Sequence, residues 1–151
     1  SLTPENIILF EQSEYNLYSI HQELENTKSN LKIIPILGSI QNKVQMESPF
    51  QKYKIHTVYH SAAYKHVPMV ELNTTEGVHN NLFGTLYCAQ AAINAGVETF
   101  VLISTDKAVR PTNTMGTTKR FAELGLQALS EKQALDGRCS KVFTYTRFVM
   151  V

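Results

Sequence analysis

Tryptophan is absent from this chain, cysteine occurs only twice, and no apolar run is long. Stretches such as Ile7–Phe10 and Phe100–Ile103 fall far short of the roughly 20 residues that a bilayer-spanning helix needs. Cys88 and Cys139 show no C-x-x-C spacing, and Cys88, set in an apolar helical stretch, reads as a buried small hydrophobe rather than a redox or metal group. So few cysteines point to a reducing, cytoplasmic setting. The five histidines lack metal-ligand spacing and form no H-E-x-x-H, so no metal site is expected. Charge of one sign is missing as well. The net charge is +1, which removes any electrostatic argument for nucleic acid or a membrane surface. The polar N-terminus reaches a strand-like run almost at once and carries no signal-peptide pattern.

What is present is an ordinary globular composition, 43% hydrophobic and 18% charged, over 151 residues, which fits one domain with a real core. Short β-rich runs alternate with longer helical patterns. Asn6–Phe10 reads as a buried strand. Ser13 caps a helix whose apolar stripe is Tyr15, Leu17, Tyr18, Ile20, His21 and Leu24. Leu31–Leu37 is the next strand and stops at Gly38. A weaker amphipathic stretch, Gln41–Tyr53, contains Pro49, which argues against a regular helix. Thr57–His60 is a third strand, and one long helix is predicted over Thr75–Ala95, closed by Gly96 as a left-handed C-terminal residue. Thr99–Ile103 forms a fourth strand, Met115–Leu135 another helix followed by Gly137, and Lys141–Phe148 the last strand. This rhythm implies right-handed βαβ units and a doubly wound, Rossmann-like parallel sheet.

In such sheets ligands bind beyond the carboxyl ends of the strands, and three of these ends, with the helix that follows the last of them, carry informative residues. Glu11 follows the first strand, where a carboxylate accepts the ribose hydroxyls of an adenosine and repels a 2′-phosphate, favouring NAD over NADP. Ser61-Ala62-Ala63-Tyr64-Lys65-His66 follows the third: its small residues allow close backbone approach, while Lys65 and His66 offer donors to phosphate or sugar. Ser104-Thr105-Asp106-Lys107 follows the fourth, placing an acid and a lysine side by side, which is costly near an apolar sheet unless they are paired or used. Met115 and Lys119, spaced i, i+4, share one face of the helix that comes next.

The assembled pattern resembles the polysaccharide-biosynthesis branch of the extended short-chain dehydrogenases/reductases, the UDP-N-acetylglucosamine 4,6-dehydratases. The stretches that carry it are I-I-L-F-E-Q-S-E-Y-N-L-Y from Ile7 and H-S-A-A-Y-K-H-V-P-M-V-E from His60, then N-N-L-F-G-T-L from Asn80. The most specific is V-L-I-S-T-D-K-A-V-R-P-T-N-T-M-G-T-T-K-R from Val101. The likeness is to long-form members, in which Met replaces the tyrosine of Y-x-x-x-K. It implies NAD as cofactor, a UDP-sugar as substrate, and net loss of water across C5 and C6 after oxidation at C4. Lys107 would be the base at C5, Asp106 the acid at the C6 oxygen, and Thr105 a partner of the C4 oxygen. Lys119 would hold the nicotinamide ribose. Met115 cannot deprotonate the C4 hydroxyl, and Asp106 is expected to do so first. Ala62, Ala63, Tyr64, Asn80, Asn81 and Ser104 would line the NAD channel, and Ser39 would make one bond to the adenine. The resemblance also implies homo-oligomers packed through the two long helices, and a parent enzyme at the cytoplasmic face of the inner membrane.

Three departures qualify it. The seven glycines never form G-x-x-G-x-x-G, and the strand that should precede Ile7 is absent, so residues 1–151 are expected to be a partial NAD-binding Rossmann domain lacking its first βα unit. Gly38-Ser39-Ile40-Gln41-Asn42 replaces the acidic pair of G-D-x-x-D. The closing strand reads Arg147-Phe148-Val149-Met150 where the family continues Arg-Phe-Gly-Asn, and the substrate domain is expected to be absent. Rival readings are an epimerase or reductase of the same superfamily, and a non-catalytic Rossmann module kept for assembly.

Overall fold

The computed structural model describes residues 4–27, 31–135 and 142–148. Strand β1 (Asn6–Glu11) leads to helix α1 (Glu14–Glu25), strand β2 (Lys32–Leu37) and helix α2 (Lys43–Lys52). Next come β3 (Thr57–His60), α3 (Val67–Leu72), α4 (Thr74–Val78) and α5 (Thr85–Asn94), the last two joined by a π-helical turn over His79–Gly84. Strand β4 (Thr99–Thr105), a 3-10 turn (Asp106–Ala108), α6 (Thr114–Leu135) and β5 (Val142–Phe148) follow. Among the described residues no helix is long and apolar enough to cross a membrane.

Among the described residues every strand pairing is parallel, as continuous apolar strands linked by helices require. The strands nevertheless form two hydrogen-bonded sheets, β1-β2 and β3-β4-β5, rather than one. In the doubly wound order 3-2-1-4-5-6, the place between these two sheets is that of the first strand, which the sequence leads one to miss. The fold is thus the Rossmann α/β architecture without its first βα unit. Pro35 lies in β2, whose outer edge has no partner among the described residues, so the missing N–H breaks no ladder there.

The core lies against one face of β3-β4-β5. Phe100 and Leu102 of β4 are fully buried under Cys88, Ala89 and Ala92 of α5 and Ala122 and Leu126 of α6. The alanines let the two helices approach the strand closely, and the Phe100 ring stacks on Phe143 at 5.5 Å. Buried Cys88 has its thiol pushed up to about 12 by desolvation and behaves as the inert hydrophobe expected.

Several local expectations change. Only Leu17 of the α1 stripe is buried, while Tyr15 and Tyr18 are 78% and 64% exposed, because the face that packs on the strands is the narrower Leu17-His21-Leu24 line. Pro49 sits inside α2, a regular helix capped by the Asn42 side chain, which accepts from the Gln45 amide at 3.2 Å. The predicted helix Thr75–Ala95 begins one residue earlier and is wound into a π turn midway, and α3 precedes it with Pro68 in its first turn. Ser104 and Thr105 belong to β4 rather than to a loop. Gly96 has the left-handed φ of +81° that the sequence predicts. Gly137, Cys139, Lys141, Val149 and Met150 lie outside the described residues.

Candidate functional site

The carboxyl end of β4 meets the first turn of α6 at one point of close backbone contact. A Cβ on Gly116 would collide with the carbonyl oxygen of Lys107, so only glycine lets α6 start there. The helix is begun by the Asn113 side chain, which accepts from the Gly116 amide at 2.7 Å. The exposed Glu71 carboxylate of α3 reinforces this, accepting from the Thr114 amide at 2.5 Å and the Thr114 hydroxyl at 2.7 Å. Those bonds hold the Glu71 carboxyl below its usual range.

Helix α6 then aims Lys119 at β4. Its Nζ donates to the Ile103 carbonyl at 3.0 Å, three residues before Asp106, so the two groups share one end of the molecule. Lys119 is only 5% exposed, and burial brings its ammonium down to about 8, partly countered by the carboxylate of Glu123. That ammonium keeps donors beyond the one given to Ile103. Met115, one turn earlier, is 1% exposed and fills the space under the helix start.

Asp106 and Lys107 emerge beside this point. Their side chains pair at 3.8 Å, and both are substantially open to solvent. The Thr105 hydroxyl donates to the Asp106 carboxylate at 2.9 Å, which with the Lys107 charge keeps the Asp106 carboxyl below its usual range. The sheet is therefore not forced to bury this pair, contrary to the cost argued from sequence; the chain leaves the strand before the charges begin.

The turn after β3 is held by Asn81. This fully buried side chain accepts from the Tyr64 amide at 2.7 Å, and donates to the Tyr64 carbonyl at 3.0 Å and to Thr118 at 3.1 Å. It thereby fixes Ala62, Ala63 and Tyr64 against α6. Asn80, also buried, donates to Asn81 and accepts from Gln41. The π turn places both asparagines inward, which an α-helical reading of His79–Gly84 does not anticipate. Lys65 and His66 are exposed on the same turn, and His66 caps α3 without a side-chain bond. Behind it, His60 is buried and meets Thr85 at 2.9 Å. Thr85 gives its own proton to the Asn81 carbonyl, so His60 Nε2 must carry the hydrogen it shares with Thr85. Burial, aided by the Lys119 charge, lowers His60 to about 3, so it is neutral.

On the β1-β2 side, Glu11 closes β1 and accepts from the Ser13 amide at 2.9 Å, leaving its second oxygen uncommitted among the described contacts. The Ser39 hydroxyl accepts from the Gln41 amide and reaches Gln12. The Ser104 hydroxyl, expected in the NAD channel, donates to the buried Glu123 at 2.7 Å. Glu123, Arg120 and Arg147 form a cluster that the sequence reading did not reach. The one signal available was an acid set between Ala122 and Leu126, four residues beyond Lys119. A separate groove of about 650 Å³, lined by Glu71, Val78, Leu82, Thr114 and Phe121 among others, lies between α3–α4 and the start of α6.

The match with known proteins extends over the whole chain: residues 1–151 fit the family described as "Polysaccharide biosynthesis protein". The chain belongs to that family. It is 46% identical over 129 residues to the capsular polysaccharide biosynthesis protein CapD of Staphylococcus aureus, covering 85% of this chain and 22% of that protein. It is 45% identical over 130 residues to the probable polysaccharide biosynthesis protein EpsC of Bacillus subtilis, with the same two shares. The chain thus spans about a fifth of the length of these curated relatives. The structure of Pen from Bacillus thuringiensis superposes with a TM-score of 0.80 at 33% identity, covering 96% of this chain and 43% of Pen. The dTDP-glucose 4,6-dehydratase DesIV of Streptomyces venezuelae, solved with NAD, superposes at 0.77 and 17% identity, over 97% of this chain and 47% of DesIV. This last likeness is one of fold. The chain and DesIV share the Rossmann scaffold.

Proposed function

We propose that this chain is the NAD-binding part of an enzyme that dehydrates a UDP-linked N-acetylhexosamine at C4 to C6, as the UDP-N-acetylglucosamine 4,6-dehydratases do. The observation that carries the reading is the convergence of Asp106, Lys107 and the buried Lys119 on the carboxyl end of β4. The donor set fits the two ribose ends of the cofactor. Lys119 offers spare protons to the nicotinamide ribose, Ala62 and Ala63 offer a low wall held by Asn81, and Glu11 offers a carboxylate oxygen to the adenosine ribose. The glycine-rich cradle for the pyrophosphate is not among these residues. NAD, when bound, supplies a hydride acceptor at C4 and a donor at C6.

The chain's own groups do the proton work. Asp106, ionised at rest because Thr105 and Lys107 stabilise its charge, takes the C4 hydroxyl proton, a task beyond the thioether of Met115. Its neutralisation removes the counter-charge that holds Lys107 as an ammonium. Lys107, open to solvent, gives a proton to water and as the neutral amine takes the C5 proton. Asp106 returns its proton to the C6 oxygen as water leaves, and Lys107 gives its proton back to C5 as hydride reaches C6. Lys119 supplies a fixed positive field beside these steps. Lys65 and His66, exposed at the rim, are placed to meet the sugar nucleotide. Exposed Phe83 of the π turn and Phe121 and Leu124 of α6 support homo-oligomer contacts through these helices.

The test is product analysis of the intact protein with UDP-N-acetylglucosamine and NAD. A 4-keto-6-deoxy product supports the reading, and inversion at C4 with no loss of water replaces it with the epimerase. Asp106→Asn should abolish C4 oxidation as well as dehydration; normal oxidation in that variant removes the dual role of Asp106.

A further inference from the structure

We propose that Glu123 is the positioning residue of this site: through one buried carboxylate, α6 holds the carboxyl ends of β4 and β5 and sets where Asp106 and Lys107 stand relative to Lys119. The proposal rests on the reading of those three groups as the reacting centre.

Glu123 is 0% exposed yet accepts four hydrogen bonds. Ser104 Oγ donates to Oε1 at 2.7 Å and Arg147 Nε to the same oxygen at 2.9 Å. Arg147 Nη2 donates to Oε2 at 2.6 Å and Arg120 Nη1 donates to the same oxygen at 2.9 Å. Ser104 and Arg147 are register partners across β4 and β5, so one side chain from α6 bolts two neighbouring strands at a single level. That level is two residues before Asp106. The preceding residue of β4, Ile103, is gripped through its carbonyl by Lys119, one helical turn before Glu123. Successive residues of β4 are therefore held by successive turns of α6.

An ion cluster is a poor means of simply stabilising a core, because apolar side chains of similar volume would do as well without the desolvation cost. What the charged fork adds is direction, since a carboxylate bridged by a bidentate guanidinium admits little sliding or rotation. Burial raises the Glu123 carboxyl, but the bonds from Arg147, Arg120 and Ser104 outweigh that and keep it below its usual range. The charge also bears on Lys119. The titratable groups facing Lys119 are Glu123 on its own helix and His60 of β3, the latter neutral, with Arg120 and Arg147 acting on it by way of Glu123.

The experiment follows the Lys119 side-chain resonance and the Asp106 and Lys107 amides by NMR in the intact protein, with no substrate added. In Glu123→Gln the Lys119 titration midpoint should fall by about one pH unit. The Asp106 and Lys107 amide resonances should move, while those of Thr57 and Thr99, at the far ends of the strands, should not. Arg120→Met keeps the Ser104 and Arg147 bonds, so the two amides should stay in place while the Lys119 midpoint rises. In turnover assays Glu123→Gln should lower kcat about tenfold with KM for NAD little changed. Unmoved Asp106 and Lys107 amides in Glu123→Gln overturn the proposal whatever the Lys119 midpoint does, because loss of the Glu123 charge shifts that midpoint by itself. Should Glu123→Gln fail to fold, unmoved Asp106 and Lys107 amides in Ser104→Ala, which removes the bond from β4 to Glu123, overturn it instead. Absence of turnover in the wild-type protein would sink the dehydratase reading and leave these resonances to decide the role of Glu123.

Discussion

Strands β1 and β4 are both apolar, of six and seven residues, and each is hydrogen-bonded in a parallel pair, yet they end in different environments. In β4, Phe100, Leu102, Ser104 and Thr105 are buried, whereas neither β1 nor β2 contains a fully buried residue. The difference lies in what covers them. Strand β4 has neighbours on both edges and the helices α5 and α6 on one face, while β1 has one described neighbour and the narrow contact line of α1. Apolar sequence makes a strand a candidate for a core, and only cover on its faces makes it one. The proposed chemistry sits on the well-packed half, and the residues proposed for the adenosine end, Glu11 and Ser39, sit on the thin one.

Acid should expose that contrast most strongly. His60 belongs to the packed half, and its folded value of about 3 lies below the unfolded 6.5. Stability is then fully present above pH 6.5 and falls as pH drops toward 3, by up to about 5 kcal/mol. Thermal or denaturant unfolding across that range checks it, and His60→Gln should flatten the acid limb. A flat wild-type profile would show that the β3–β4 layer is wetter than described.

Phe100→Ala should cost about 4 kcal/mol, against about 1 kcal/mol for Ile8→Ala on half-buried β1. Equal losses in urea unfolding would erase the distinction between the two layers. Lys119→Met should raise stability by about 2–3 kcal/mol at neutral pH, because a buried ammonium is no longer maintained there. The folded value of about 8 lies below the usual 10.5, so the cost of Lys119 is full below pH 8 and disappears as pH rises through 10.5. The gain from the substitution should vanish over that same interval, and activity should be lost at every pH. Gly116→Ala should destabilise by about 2 kcal/mol and displace the Lys107 backbone, read as a lower melting temperature with shifted Lys107 and Asp106 amides. A variant with unchanged stability would mean that the start of α6 is free to slide.

Much of the fold was legible because its signals are short in range. Ser13 capping α1, Gly96 ending the helix before β4, and the apolar runs of β1 through β4 are each decided by residues within a few positions of one another. The π turn was not legible, since His79–Gly84 reads as ordinary helix until Asn81 must face inward to hold Tyr64, 17 residues away. That Asp106, Lys107 and Lys119 gather at the carboxyl end of β4 was legible from strand ends and helix spacing. The tie of Ser104 to Glu123 was not, because Glu123 lies 19 residues on and Arg147 lies 24 beyond that.

The sequence by itself settled the order of the strands, the parallel architecture, the gap where a first βα unit belongs, and which residues stand at the strand ends. These follow from periodicity, caps and chain connectivity, which act locally. The tertiary structure alone decided which polar groups are free and which are tied. Asn81 and Ser104 are held inside, Lys119 is buried with donors to spare, and Asp106 and Lys107 stay in solvent. Desolvation and hydrogen bonding depend on what surrounds a group in space, and those surroundings come from segments far apart along the chain.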